Sequence, residues 1–294
     1  MEEIQKVLLI VNPISGAINK ENIIQNIEVE VRKINAELQT YRTTGENDQK
    51  KIKNLVAGQA FDRILIAGGD GTIKQVAEAL IYNKTPIAII PAGSANGLAI
   101  NLGIPNNLKE QLKIAFGNSI TQMDMLEINS ELCLHIGDLG LNAELIKNYQ
   151  QSRIRGKMGY LLQSIPTLWY SKYPFEFEVQ IESRSFTKQG ILLAFANAKK
   201  YGTGANVNPK GKVDDGVFEV LLFKNFDTLE ILKTLRNETD VNSEFVEIIP
   251  VKEARVYCKK PVSFQIDGEY IGEKEEIYVK ISSEKLPIMT QKKY

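Results

Sequence analysis

The stretch Arg63–Thr72, with the sequence RILIAGGDGT, is an apolar run that ends in two glycines, an aspartate and a third glycine. An apolar run without polar alternation is typical of a strand that is covered on both faces, as in parallel sheets. Residues 6–12 (KVLLIVN) and Pro86–Ile90 (PIAII) have the same character, and small residues follow each of them. Because helical patterns separate the three runs, the sequence predicts a doubly wound α/β domain up to about residue 120.

After this point the pattern changes to short strands. Alternating runs dominate from Phe175 onward, with one predicted helix at Asp227–Asn237, and Ala143–Trp169 also has a helical pattern. We therefore predict a doubly wound α/β domain over residues 1–121 and an antiparallel, β-sandwich-like domain over residues 122–294. The last strand is a candidate to return to the first domain.

The composition is that of an ordinary globular protein. Hydrophobic residues make up 43% of the 294 residues, and 36 basic side chains balance 36 acidic ones, so no overall charge favours nucleic acid as a partner. No apolar run approaches the roughly 18 residues that span a bilayer. The acidic start MEEIQK leads directly into a strand, which argues against a signal peptide. Cys133 and Cys258 lie in apolar runs and are interpreted as reduced core residues of a cytoplasmic protein.

Three glycine-containing turns follow the predicted buried strands, namely Asn12–Gly16 (NPISG), Gly68–Thr72 (GGDGT) and Pro91–Gly97 (PAGSANG). In an open α/β sheet, ligands bind beyond the carboxyl ends of the strands. Glycine lets backbone amides approach a phosphate closely, and a following helix N-terminus adds partial positive charge. Each turn alone is as well explained as a tight connection. Three of them at one edge predict a nucleotide site.

Within these turns the polar side chains have different candidate roles. Thr72 and Ser94 could donate hydroxyl groups to phosphate oxygens. Asp70 would be repelled by phosphate, so a metal bridge or a proton-accepting role suits it better.

The motifs NPISG, GGDGT and PAGSAN occur here in the order and spacing of the diacylglycerol kinase catalytic family, which includes bacterial lipid kinases and the sphingosine and ceramide kinases. Arg153–Tyr160 (RIRGKMGY), Lys212–Phe218 (KVDDGVF) and Asp267–Glu269 (DGE) resemble further motifs of that family, so the resemblance covers nearly the whole chain. A Walker A motif and the HRD and DFG motifs of protein kinases are absent from the sequence, which excludes those ATP-using classes.

The resemblance implies a site for ATP and a general base. Glu269 would remove the proton of a lipid hydroxyl, with Asp267 beside it and Asp70 as a further catalytic carboxylate. The residues expected around ATP are Asn12, Pro13, Ile14, Ser15, Gly16, Thr44, Gly68, Gly69, Asp70, Gly71, Thr72, Gln75, Ser94 and Asn96. For the DGE motif, a plain β-hairpin turn explains the pattern equally well, because Asp-Gly favours type I′ turns.

The resemblance also implies a structural Mg²⁺ site, with Ca²⁺ as the alternative ion. Asp215 would bind the ion together with the backbone carbonyls of Lys212 and Val217, a set of hard oxygen ligands. The alternative interpretation is an ordinary Asx turn.

Two positions depart from the pattern of many bacterial relatives. Gly97 stands where they have an aspartate, and Lys74-Gln75 stand where they have Asn-Glu. The sequence PAGSANGLA is closer to the loop of the sphingosine and ceramide kinases. The departures therefore weaken a diacylglycerol assignment more than they weaken kinase activity, and they leave an inactive relative open.

From this we expect an ATP-dependent lipid kinase whose acceptor is diacylglycerol, a related glycerolipid or a sphingoid lipid, with a role in phospholipid biosynthesis. ATP would bind between the two domains, and the enzyme would reach the membrane peripherally and transiently. The alternatives are a soluble cofactor kinase similar to NAD kinase and a catalytically inactive lipid- or nucleotide-binding relative. The oligomeric state stays open, a dimer included. The single histidine, His135, is interpreted as a core side chain.

Overall fold

The computed structural model describes residues 4–151, 174–201, 205–227, 230, 233 and 242–291. Contacts divide the chain into two compact units: Met1–Met123 with Ser283–Tyr294, called unit 1, and Asp124–Ser282, called unit 2. The motif Arg153–Tyr160 lies outside the described residues, as do most of the predicted helix at Asp227–Asn237 and the part of the predicted helix at Ala143–Trp169 that follows residue 151.

Unit 1 is an α/β unit built on a parallel sheet in the order β2-β1-β3-β4. All six residues of β3 are buried, as its apolar sequence requires. Its elements are β1 (Lys6–Val11), α1 (Lys20–Lys33), β2 (Glu37–Arg42), α2 (Asp48–Gly58), β3 (Arg63–Gly68), α3 (Asp70–Ala79), β4 (Ile87–Pro91), α4 (Gly97–Asn101), α5 (Leu108–Ala115) and the start of β5 (Ile120–Ile128).

The end of the last strand, β16 (Glu269–Met289), belongs to unit 1. Ile288 pairs in parallel with Ile87 at the start of β4, and both side chains are buried. Met289 belongs to the apolar cluster that α1 forms with the sheet. The core of unit 1 therefore contains residues from opposite ends of the sequence.

Unit 2 is built mainly from antiparallel strands in the order β14-β13-β10-β7-β15-β16, with β8 joining β15 to β9. Large aromatic side chains such as Phe177, Phe195 and Phe218 fill its core. Besides the rest of β5 and β16 it contains β6 (Glu131–Cys133), β7 (Ile136–Gly140), α6 (Leu141–Gln151), β8 (Phe175–Ile181), β9 (Arg184–Gly190), β10 (Leu192–Ala196), β11 (Lys200–Tyr201), β12 (Ala205–Asn206), β13 (Phe218–Phe223), β14 (Val246–Val251) and β15 (Glu253–Ile266).

The chain bends between β6 and β7, at Leu134 and His135. The carboxylate of Asp267 accepts hydrogen bonds from the backbone N–H groups of Leu134, His135 and Ile136, and these bonds take the place of strand pairing. His135 is buried as expected, and its Nε2 lies 2.6 Å from the carbonyl oxygen of Lys200.

Both cysteines are buried and free of disulfides, as predicted. In the parts of the chain that the structure describes, every helix is too short or too polar to cross a membrane.

Candidate active site

The three glycine-containing loops of unit 1 follow β1, β3 and β4, which are adjacent and parallel, so the loops emerge at one edge of the sheet. We call Asn12–Gly16, Gly68–Thr72 and Pro91–Gly97 together the three-loop edge. Asn12 N–H donates to the carbonyl of Ala67 at 3.0 Å, which continues the strand pairing into the first loop. The sheet order therefore brings the sequence motifs together.

Glycines allow these loops to touch one another. A Cβ on Gly16, which has a φ of +56°, would lie 2.6 Å from the carbonyl oxygen of Ala92. A Cβ on Gly93 would lie 2.4 Å from the Cα of Gly69. Atoms this close would clash, so at these positions glycine is required for contact between loops as well as for any approach of a ligand.

Side-chain hydrogen bonds join the same loops. Asn12 Nδ2 donates to Thr72 Oγ1 at 3.0 Å, and Ser15 Oγ donates to the carbonyl of Ala92 at 3.2 Å. Thr72 is buried, and its hydroxyl oxygen accepts this bond from the first loop. These two bonds hold the first loop against each of the other two.

Lys20, the first residue of α1, adds a charge beneath the three-loop edge. Its ammonium group donates to the carbonyls of Ser15, Ile18 and Ala92, at 2.5, 3.0 and 3.2 Å. The residue is 7% exposed, and burial lowers the pKa of its amine. Because an ammonium group has three protons, these bonds use all of its donors and join the first loop to the third.

Asp70 has a role that the sequence analysis did not predict. One carboxylate oxygen accepts the N–H of Gly97 at 2.8 Å, and the other accepts the N–H of Leu98 at 3.0 Å. The carboxylate therefore caps the first turn of α4 from a neighbouring loop. Asn96, which has a φ of +56°, closes the turn before α4 through hydrogen bonds with both the N–H and the carbonyl of Gly93.

The remaining residues predicted around ATP differ in exposure. Several lie on the surface of the three-loop edge, with Ile14 as much as 88% exposed, while Gln75 in α3 is half-buried. The residues predicted around ATP that are exposed at the three-loop edge are Pro13, Ile14, Gly16, Gly71 and Ser94. These residues are accessible from solvent.

Thr44 contacts a different group, the buried carboxylate of Asp48 at the start of α2. Its N–H donates to Asp48 at 2.9 Å, that of Gly45 donates at 2.7 Å, and Tyr41 Oη donates at 2.6 Å. Burial raises the pKa of Asp48, but these bonds together outweigh it and leave the pKa below its ordinary value. Thr44 is therefore part of a turn that Asp48 holds in place.

In unit 2, the DGE motif forms the turn between β15 and β16. Asp267 and Gly268 have φ values of +51° and +87°, and Ile266 pairs with Glu269, which is the geometry of a two-residue type I′ hairpin. The hairpin interpretation of the motif is therefore confirmed, and it does not exclude a catalytic role for the residues.

The two carboxylates of this turn have different surroundings. Asp267 accepts three backbone N–H groups from the β6–β7 connection at 2.9 to 3.1 Å, so it anchors the turn. Glu269 is exposed and has no side-chain partner among the residues that the structure describes. Of the two, Glu269 is the carboxylate that is accessible to a substrate.

The loop predicted to bind a metal also shows the simpler motif. Asp215 is exposed, and its Oδ1 accepts the N–H of Val217 at 3.3 Å, which is an Asx turn. Gly216 N–H donates to the buried Asp124 at 2.7 Å and fixes the loop. The described residues contain no group of three or more His, Cys, Asp or Glu side chains arranged around a metal. The oxygen donors of Asp215 and of the carbonyls of Lys212 and Val217 nevertheless suit a hard divalent ion.

Sequence reasoning missed several residues that build these sites, among them Lys20, Asp48 and Gln265. Lys20 lies shortly after NPISG at the start of a helix, and its sequence context does not distinguish a buried lysine from a solvent-exposed one. Gln265, two residues before Asp267, is 1% exposed. A glutamine within an apolar strand was the one feature of the sequence that could have indicated a buried polar role.

The chain was compared with known families and proteins. Residues 6–128 match the diacylglycerol kinase catalytic domain, and residues 138–289 match the YegS C-terminal NAD kinase beta sandwich-like domain. A diacylglycerol kinase of Bacillus subtilis is 25% identical over 90% of this chain and 89% of its own length. A probable lipid kinase YegS-like of Chromohalobacter salexigens is 24% identical over 78% of this chain and 76% of its own length.

Solved structures show the same fold. A putative diacylglycerol kinase from Bacillus anthracis str. Sterne superposes with a TM-score of 0.78 at 20% identity, over 99% of this chain and 98% of its own. An NAD kinase from Archaeoglobus fulgidus in complex with ATP superposes with a TM-score of 0.54 at 13% identity, over 97% of this chain and 94% of its own. Since the two family models together span nearly all of the sequence, the chain belongs to the bacterial diacylglycerol kinase-like family of lipid kinases.

Proposed function

We propose that this chain transfers the γ-phosphate of ATP to a hydroxyl group of a membrane lipid. The observation that carries the proposal is the three-loop edge, where glycines and side-chain hydrogen bonds hold three strand-end loops in contact. The helix α3 begins at Asp70, in the second loop, and the first N–H groups of an α-helix have no partners inside the helix and favour phosphate. The relatives named diacylglycerol kinase and lipid kinase support a lipid acceptor.

In this mechanism the residues of unit 1 hold the nucleotide, and Glu269 acts on the acceptor. The lipid hydroxyl oxygen attacks the γ-phosphorus, the bond to the bridging oxygen breaks, and ADP leaves. The hydroxyl proton passes to the Glu269 carboxylate, whose exposure leaves it accessible. Magnesium bound with ATP would neutralise charge on the phosphates. Asp70 is the acidic side chain of the three-loop edge and the candidate to orient that ion.

A phosphorylation assay with labelled ATP tests the proposal. The acceptors are diacylglycerol, ceramide and sphingosine in mixed micelles, with NAD as the soluble alternative. We expect a labelled phospholipid and a loss of about 1000-fold in kcat for Glu269→Gln, within the range of general-base catalysis. Glu275→Gln is the matched control, because Glu275 is an exposed glutamate further along the same strand.

The outcome also identifies the acceptor class. We propose diacylglycerol or a related glycerolipid first, in line with the names of the relatives. The second candidate is a sphingoid lipid, because Gly97 replaces an aspartate of many bacterial relatives and the sequence PAGSANGLA is similar to the loop of sphingosine and ceramide kinases. The proposal would be overturned if NAD were labelled and none of the lipids were. Full activity of Glu269→Gln would overturn it as well.

We also propose that Asp215 and the carbonyls of Lys212 and Val217 bind a structural Mg²⁺, with Ca²⁺ as the alternative. Chelation should then lower the melting temperature of the wild type, and Asp215→Ala should abolish this response. If the variant shows the same shift with chelator as the wild type, the ion binds elsewhere.

A further inference from the structure

Behind the DGE turn lies a buried pair of side chains, Asp138 on β7 and Gln265 on β15. The two residues are direct partners in the antiparallel pairing of these strands, and they are 0% and 1% exposed. Gln265 Nε2 donates to Asp138 Oδ2, and Asn142 Nδ2 donates to the same oxygen at 2.8 Å. The other end of Gln265 accepts the N–H of Gly268, in the turn itself, at 2.8 Å.

The orientation of the Gln265 amide follows from these partners. If the amide were rotated by 180°, its NH₂ group would face the N–H of Gly268 and its oxygen would face the carboxylate of Asp138. Both contacts would be repulsive in a buried site. Asp138 therefore determines which end of Gln265 meets the turn.

This chain of hydrogen bonds ends one residue before Glu269. The turn has two residues with positive φ, and the N–H of Gly268 is its inward-facing donor. Asp267 anchors the turn from the other side through the amides of the β6–β7 connection. The backbone that carries the exposed Glu269 is thus fixed from two sides by buried groups that do not themselves reach the surface.

We propose that Asp138 and Gln265 are positioning residues for phosphoryl transfer, because they set the backbone of the turn from which Glu269 reaches the acceptor hydroxyl. This proposal rests on the proposed role of Glu269. A general base has to lie within hydrogen-bond reach of the proton that it removes, so a small displacement of the turn lowers kcat. Binding of ATP involves unit 1 and is unaffected.

The test reverses the polarity of the buried hydrogen bond. Gln265→Glu keeps an acceptor for Gly268 but places a second carboxylate against Asp138. Asp138→Asn keeps an acceptor for Gln265 and for Asn142. In the double variant Asp138→Asn/Gln265→Glu, the amide of residue 138 donates to the carboxylate of residue 265, which still accepts from Gly268. The Asn142 amide, which donated to the same oxygen of Asp138, has to rotate by 180° so that its oxygen faces the new NH₂ group.

For Gln265→Glu we expect at least a tenfold loss in kcat with an unchanged KM for ATP. Asp138→Asn should lose less than threefold, and the double variant should recover most of the loss of Gln265→Glu. Gln189→Glu is the matched control, because Gln189 is an exposed glutamine on β9 of the same unit. Hydrogen exchange at the Gly268 amide gives a readout that needs no activity, and it should accelerate in Gln265→Glu and slow again in the double variant.

The proposal is overturned if the double variant is no more active than Gln265→Glu, or if exchange at Gly268 is the same in all variants. If Gln265→Glu does not fold, Asp138→Asn and the double variant still report on exchange and kcat. If the wild type phosphorylates no lipid, the proposed function fails, while the exchange data still decide whether the pair holds the turn.

Discussion

At the scale of single residues, most of the acidic side chains in the motifs accept hydrogen bonds from backbone N–H groups. Asp70 caps α4, Asp215 closes an Asx turn, and Asp267 binds three consecutive amides. A carboxylate that accepts several N–H groups is held in one orientation. Glu269, in contrast, is exposed and accepts no such bond among the residues that the structure describes. The motifs therefore combine residues that build the site with residues that are accessible to substrate.

Replacing Asp70 by asparagine should separate these two roles. The Asn side chain has one oxygen for the two N–H groups of Gly97 and Leu98, so one hydrogen bond to a charged acceptor is lost. We expect a decrease of about 1–2 kcal/mol in the free energy of unfolding. If Asp70 also orients the magnesium of ATP, kcat should fall by about 100-fold or more, as for other groups that act on transition-state charge. Denaturant unfolding and the kinase assay measure the two effects.

Asp62→Asn is the matched control for this prediction. Asp62 lies outside the three-loop edge, and one of its oxygens accepts the N–H groups of Gln5 and Lys6 at 2.9 and 2.8 Å. It should keep its activity, and it should lose less stability than Asp70→Asn, because a single amide oxygen can still accept both N–H groups. Equal activity of the two variants would show that Asp70 is a cap and nothing more.

At the scale of elements, the sequence predicts the strands that precede the three loops, because six buried residues in a row leave a clear apolar signal in β3. It does not predict β2, whose sequence ELQTYR is mostly polar, nor the start of α1 at Lys20. Contacts between loops are harder still. Asp70 and Gly97 are 27 positions apart, and Asp267 and Leu134 are 133 apart, so no local pattern records their bonds.

Lys20 should couple the first and third loops in solution. Lys20→Met keeps the apolar stem but removes a donor from three carbonyls, of which that of Ala92 keeps the hydroxyl of Ser15, so we expect a loss of about 1–3 kcal/mol in stability. The KM for ATP should rise about tenfold, since the loops that would bind phosphate lose both their fixed spacing and a nearby positive charge. Lys33→Met is the control, because Lys33 ends the same helix with an exposed ion pair to Glu30. An unchanged KM would restrict Lys20 to a structural role.

The turn around Asp48 should make stability depend on pH in two ranges. The pKa of Asp48 is lowered, so its contribution is complete above the unfolded pKa of about 4 and is lost as the pH falls below it. Burial, and then the hydrogen bond to Asp48, raise the pKa of Tyr41 to about 12. Its contribution is therefore complete below the unfolded pKa of about 10 and is lost as the pH rises towards 12.

Two variants separate the ranges. Asp48→Asn should be less stable than the wild type at pH 7, and the difference should shrink as the pH approaches 3. Tyr41→Phe should flatten the alkaline part of the curve and weaken the acid part, because Asp48 loses the hydrogen bond that lowers its pKa most and keeps those from Thr44 and Gly45. Unfolding midpoints measured from pH 3 to pH 11 give both results, and parallel curves for all three proteins would contradict the assignment.

At the scale of the whole molecule, unit 1 is not a continuous segment of the sequence. Unit 1 takes its last residues from Ser283 onward, after the whole of unit 2. The pattern of the last strand predicts a strand, but β-strand periodicity does not record its partner. The pairing of Ile288 with Ile87 across 201 positions of sequence appears in the structure alone.

Unit 1 should therefore depend on the far end of the chain. Ile288 is fully buried beside β4, the strand that leads into the third loop of the proposed nucleotide site. Ile288→Ala removes buried methyl groups and leaves a cavity, so we expect it to lower the free energy of unfolding by about 2–5 kcal/mol. The stabilisation by MgATP in a thermal shift assay should decrease as well, because the base of the third loop loses its packing.

Ile120→Ala is the matched control, since Ile120 belongs to the same unit but is 43% exposed. Its cost should stay within about 0.5 kcal/mol, as for other surface substitutions. A small effect of Ile288→Ala would mean that β4 is stable without its last partner, and the C-terminal residues would then be dispensable for the three-loop edge. A large loss of stability with full retention of the MgATP shift would instead separate the packing of this strand from nucleotide binding.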